Sequence, residues 1–113
     1  MHELAVAQRL VAMIVEEAVR SQAHKIERVR LRLGHLSHVE PSSLELSFAA
    51  ASRGTLADGA ELQIERTSGA ARCLLCGAQT VVARHGAACS ACGECALLVE
   101  GGEELRLVSL EVS

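Results

Sequence analysis

Tryptophan and tyrosine are absent from this 113-residue chain, and Phe48 is its only phenylalanine. Without an aromatic platform, stacking of successive bases is excluded as a binding mode. Basic excess is missing as well: 11 Lys and Arg face 14 Asp and Glu, for a net charge of −3. A phosphate-tracking surface needs clustered positive charge, so no nucleic-acid partner is expected. No apolar run approaches the roughly 20 residues that cross a bilayer, which excludes a membrane-spanning helix. The start of the chain, Met1-His2-Glu3, has neither the basic flank nor the apolar stretch of a secretory signal. A cytoplasmic protein is therefore expected. HExxH does not occur, and no serine, histidine and carboxylate arrangement suggests a hydrolase.

Half of the residues are apolar, chiefly Ala, Leu and Val, enough for a modest core at this length. Between residues 3 and about 21, Leu4, Ala7, Leu10, Val11, Ile14, Val15, Ala18 and Val19 recur at three- and four-residue spacing. That spacing predicts an amphipathic helix. Residues 26–33 alternate, with Val29, Leu31 and Leu33 on one side and Arg28, Arg30 and Arg32 on the other, which predicts a half-buried strand with a solvated arginine row. The chain's one proline, Pro41, suits the first turn of a second helix over residues 41–53. Leu44, Leu46, Phe48, Ala49 and Ala50 supply its apolar side, and Gly54 ends it. Asp58-Gly59 signals a turn before a second strand around Leu62 and Ile64, and Gly101-Gly102 precedes a last strand over residues 103–112.

All five cysteines lie between positions 73 and 95. An odd, clustered set without an export signal points to metal rather than disulfides. Cys73-Leu-Leu-Cys76-Gly77 and Cys89-Ser-Ala-Cys92-Gly93 are two similar arms separated by twelve residues. Four thiolates on two turns make a closed tetrahedral zinc site, and a site with no open position is structural rather than hydrolytic. Cys89-x-x-Cys92-x-x-Cys95 partly resembles an iron–sulfur run, but the terminal Cys-Pro of that pattern is missing. Cys95 is thus a spare thiol, an exchangeable ligand or a packed residue, and His85 a loop histidine or a substitute ligand. The cysteine module is expected to be too small and too polar for a core of its own. The strands on either side are expected to pair with each other, leaving residues 69–99 as an insert in a main domain made of residues 1–68 and 100–113.

A second metal constellation is the N-terminus. The free amine, the amide nitrogen and the imidazole of His2 can close chelate rings around an ion that accepts planar nitrogen coordination, as nickel and copper do. Glu3 follows with an oxygen donor, acting directly or by holding the ligands.

Met1-His2-Glu3, Val39-Glu40-Pro41, Arg53-Gly54-Thr55-Leu56-Ala57, the paired cysteine arms and the Leu110-Glu111-Val112 ending resemble, in order and over essentially the whole chain, the HypA/HybF hydrogenase maturation family. The resemblance implies an α+β fold: a small nickel-binding α/β domain, two helices on a three-stranded sheet, with an inserted zinc-ribbon-like domain. It implies a nickel metallochaperone, not an enzyme, that delivers Ni(II) to the large subunit of [NiFe]-hydrogenase with the GTPase HypB. Some members also serve urease, which brings in urease maturation proteins, and a homodimer stays open. Carried onto this chain, the nickel residues are Met1, His2, Glu3 and Glu40, with helix capping as the alternative role of Glu40. The zinc residues are Cys73, Cys76, Cys89 and Cys92. The competing reading is a zinc-ribbon protein-interaction or nucleic-acid-binding module with an incidental N-terminus; it requires salt-dependent binding and indifference to His2.

Overall fold

The computed structural model describes residues 2–113. In chain order the elements are α1 (Glu3–Arg20), β1 (Ile26–Gly34), α2 (Pro41–Ser52), β2 (Glu61–Thr67), β3 (Gly69–Cys73), β4 (Gln79–Val82), β5 (Leu97–Gly101) and β6 (Leu105–Val112). The fold is α+β, with two helices and two three-stranded sheets ordered β2-β1-β6 and β4-β3-β5. β2 and β6 therefore do not pair with each other as the sequence suggested. Both pair with β1, whose alternating apolar and arginine residues make it the strand best suited to the centre. Among the described residues no helix is long and apolar enough to cross a membrane.

The chain forms two compact units. The first comprises residues 2–31, 39–64 and 107–113, and the second residues 32–38 and 65–106. In the first, Ala7, Leu10, Val11, Ile14 and Ala18 of α1 are buried with Ile26, Val29 and Leu31 of β1 and Leu44 and Phe48 of α2. Their 3.6-residue and two-residue periods bring one face of each element to a common core. Leu4 and Val19, expected in the α1 stripe, are 52% and 61% exposed, because they lie at its margins and ends. In α2 the buried row is Leu44, Phe48 and Ser52 at four-residue intervals, while Leu46 is 75% exposed and Ala49 and Ala50 also face solvent. Two residues along a helix is a turn of about 200°, so Leu46 cannot share a face with Leu44.

α1 ends with Gln22 in the left-handed region at φ 59°. Its N–H donates to the Val19 carbonyl and that of Ala23 to Ala18, a Schellman closure without the usual glycine. The predicted solvated arginine row is ion-paired in part: Arg28 bridges Glu61 on β2 and Glu111 on β6 at 3.0 and 2.7 Å.

The second unit is wider than residues 69–99. His35 N–H donates to the Thr67 carbonyl, Leu36 N–H to Gly102 and Gly34 N–H to Glu104, and Leu36 packs into this unit's core with Ala71 and Val82. β3 lies between β4 and β5, antiparallel to both. These three strands escaped the sequence reading because each has only four or five residues, too few to show a period. Where β1 ends, a Cβ on Gly34 would collide with the Gly102 carbonyl, and Gly102 itself, at φ 95°, lies against the backbone of Gly69. Three glycines let three backbone segments meet where side chains could not fit.

Candidate metal centres

The two cysteine arms fold as near copies. Cys73 ends β3, and the Gly77 N–H donates to its carbonyl at 2.9 Å; in the second arm Gly93 N–H donates to Cys89 at 2.8 Å. Each turn closes again one residue further, where Cys73 N–H meets the Ala78 carbonyl and Cys89 N–H meets that of Glu94. Gly77 and Gly93 take φ of 75° and 81°, the left-handed conformation that makes glycine the favoured residue after each pair. Amides inside the turns point at sulfur: Cys76 N–H at Cys73 Sγ (3.5 Å) and Ala91 N–H at Cys89 Sγ (3.4 Å).

The four sulfurs of Cys73, Cys76, Cys89 and Cys92 lie within 4.8 Å of one another, with Cys73–Cys92 and Cys76–Cys89 separations of 3.7 Å. Zinc–sulfur bonds of about 2.3 Å at tetrahedral angles require sulfurs roughly 3.8 Å apart, which these two separations already match, so the donor set fits zinc. Cys73 and Cys89 are buried, Cys76 and Cys92 exposed. The first cysteine of each arm is biased toward thiolate. Backbone N–H groups of Cys76 and Leu75 lower the Cys73 thiol to about 6, and those of Cys92 and Ala91 lower Cys89. The second cysteines go the other way. The Ala78 amide favours the Cys76 thiolate, but burial and the neighbouring sulfurs outweigh it and push the thiol up to about 11. Cys92 is likewise raised, against the Glu94 amide, by burial and the sulfurs of Cys73 and Cys89.

Cys95 is exposed and outside this group, and His85 is not part of it. The His85 ring bonds the Leu36 carbonyl through Nε2 at 3.1 Å and stacks on His38, with ring centres 4.7 Å apart and planes 5° from parallel. His38 has φ 64°, a conformation uncommon for a side-chain-bearing residue.

At the start of the first unit, His2 is exposed, and its carbonyl accepts from Val6 N–H at 3.0 Å, which fixes its backbone to the first turn of α1. Met1, the other expected nickel residue there, lies outside the described residues. Glu3 is buried at 8% exposure, and its Oε2 accepts from the backbone N–H of Glu40 at 3.2 Å. That amide, followed by the bond to Glu3's own backbone, holds its carboxyl below the ordinary range. Glu40 is the N-cap of α2: its carboxylate accepts from Ser43 N–H at 2.7 Å and from the Ser42 hydroxyl at 2.8 Å, and these lower it too. The capping role considered for Glu40 is thus present in the structure. The bond from Glu40 N–H to Glu3 joins residues 37 positions apart, and no sequence spacing could have indicated it.

Four converging cysteines in the second unit are the donor set of a metal-binding protein. The family model described as hydrogenase/urease nickel incorporation, metallochaperone, hypA matches residues 1–112, and the class is that of a nickel metallochaperone rather than an enzyme. The hydrogenase maturation factor HypA of Chlorobaculum tepidum is 43% identical over 112 residues, covering 99% of both chains. That of Alkalilimnicola ehrlichii is 41% identical with the same coverage. The solution structure of the Ni metallochaperone HypA from Helicobacter pylori superposes with a TM-score of 0.68 at 32% identity, over 99% of this chain and 97% of that one. The chain belongs to the HypA family. As members bind nickel, Ni(II) is the cargo, and the four cysteines fit a structural zinc. Membership also places the protein with the hydrogenase maturation machinery.

Proposed function

We propose that this protein captures Ni(II) at its N-terminus and delivers it to the large subunit of a [NiFe]-hydrogenase, working with the GTPase HypB. The observation that carries this reading is the match over residues 1–112 to a nickel-incorporation family, together with an exposed His2 anchored at the start of α1. Nickel falls to the first unit, where the terminal amine of Met1, the adjoining amide nitrogen and the His2 imidazole supply nitrogen donors, with Glu3 and Glu40 as the acidic groups beside them. A cargo site needs ligands that partner groups can displace one at a time, and an exposed residue at a chain end meets that need. Zinc falls to the second unit, where it fixes both cysteine turns and supplies no open position for catalysis. Urease maturation proteins are further recipients of the same chemistry, and self-association through the outer strands β2 and β6 would make a homodimer. Two of the three β1 arginines are ion-paired with glutamates, which counts against the nucleic-acid alternative.

The test is calorimetric titration of zinc-loaded, untagged protein with nickel sulfate, comparing wild type, His2→Ala and a chain lengthened by one N-terminal residue. One nickel site in the wild type, abolished by both changes with zinc retained, is the expected result. Nickel binding that is absent, or indifferent to His2, overturns the proposal.

A further inference from the structure

Glu3 has the geometry of a group that holds other groups in place. It is 8% exposed while its neighbour His2 is exposed, and its Oε2 accepts the backbone N–H of Glu40. Glu40 in turn organises the first turn of α2, through the Ser43 amide and the Ser42 hydroxyl. A continuous chain of bonds therefore runs from the backbone beside the His2 imidazole, through one buried carboxylate, into the N-terminal turn of the second helix. A metal ligated through Oε2 would compete with the part-buried Glu40 amide for that oxygen, and an unsatisfied buried donor is costly. Displaceable cargo ligands should also be reachable by a partner's donors, and Glu3 as a residue is only 8% exposed.

Resting on the nickel reading above, we infer that Glu3 is a positioning residue for the nickel site and not one of its ligands: it ties the start of α1 to the N-cap of α2. The imidazole of His2 is thereby presented at a fixed place, and capture or release of nickel is transmitted to the first turn of α2. That turn is the element a partner could read to distinguish loaded from empty protein.

Glu3→Gln separates holding from ligation, because the amide oxygen can still accept the Glu40 N–H although the charge is gone; Glu3→Ala removes both. Each variant, zinc-loaded and untagged, is titrated with nickel sulfate, and amide hydrogen exchange at Glu40 and Ser43 is measured without nickel. Unchanged amide signals from Ile14 and Phe48 verify the fold. The expected result is that Glu3→Gln binds nickel within about threefold of wild type with the Glu40 amide still protected. Glu3→Ala should bind at least tenfold more weakly and exchange that amide faster. Equal nickel losses in both variants, with the Glu40 amide protected in Glu3→Gln, would show that Glu3 is a ligand and overturn the inference. An unaltered affinity in Glu3→Ala overturns it as well. Wild-type protein that binds no nickel, or binds it independently of His2, overturns the nickel reading itself, a failure recognisable because it precedes any effect of Glu3.

Discussion

Zinc uptake by the zinc-free protein near neutral pH should release at most about three protons, not the four that ordinary thiols would give. Zinc binds thiolates, so each cysteine that is still protonated must give up its proton. The structure divides the four unequally. With its thiol lowered to about 6 by the Cys76 and Leu75 amides, Cys73 is already mostly thiolate at neutral pH and contributes almost nothing. Cys76, pushed up to about 11, contributes a full proton, and Cys92, also raised, contributes another. Cys89 is lowered, by the Cys92 and Ala91 amides, and contributes one proton at most. Each proton released makes apparent affinity rise tenfold per pH unit, so zinc should bind at most about 1,000-fold more tightly for each unit of pH near 7, where four ordinary thiols would give about 10,000-fold. As the pH falls below about 6, Cys73 is protonated too and the dependence should steepen. Calorimetry in buffers of different ionisation heat counts the protons, and competition with a chromophoric chelator measures the slope. A release of four protons with a slope to match would refute the reasoning, since the knuckle amides would then not be holding thiolates before the metal arrives.

Three further outcomes follow from the fold. Gly34→Ala drives a methyl group into the Gly102 carbonyl and should destabilise the second unit by about 1–3 kcal/mol, read by denaturant titration; an unchanged midpoint would contradict the glycine crossing. Gln22→Gly relieves a left-handed residue at the end of α1 and should raise stability by about 0.5–1 kcal/mol, visible as a higher melting temperature. Glu3, Glu40, Glu61 and Glu104 are all held below the usual carboxylate range by hydrogen bonds, chiefly from the Glu40 amide, the Ser43 amide, Gln63 and Thr67 respectively. A lowered folded value means that their stabilisation is complete above the unfolded value of about 4.3 and is lost as pH falls through the folded values. Acid unfolding followed by circular dichroism should therefore begin below that point, and Glu40→Gln should leave a shallower acid dependence.

Residues separated by fixed short distances were legible without coordinates. The α1 stripe from Ala7 to Ala18, the alternation of Val29, Leu31 and Leu33, Pro41 at the head of α2 and the two cysteine arms all rest on local chain geometry, which is the same in any fold; Gly54 does not end α2, which stops at Ser52 with Arg53 already extended. Cys73, Cys76, Cys89 and Cys92 do converge as the repeated spacing suggested, with the 3.7 Å separations that zinc demands. The short strands β3, β4 and β5 were not legible, because four or five residues around an all-sulfur site take their pairing from the turns that the cysteines impose.

What the sequence by itself determined, then, is the local elements, the zinc donor set and the exposed His2 start. These depend on the preferences of neighbouring residues and on motif spacings that survive without tertiary context. The tertiary structure alone decided that β1 separates β2 from β6, that Leu46 faces solvent while Ser52 is buried, and that His85 stacks on His38 away from the cysteines. It also brought the Glu3 carboxylate to the Glu40 amide across 37 residues. Such contacts are selected by which surfaces must leave water together and which buried donors need acceptors, conditions that exist only once the whole chain has folded.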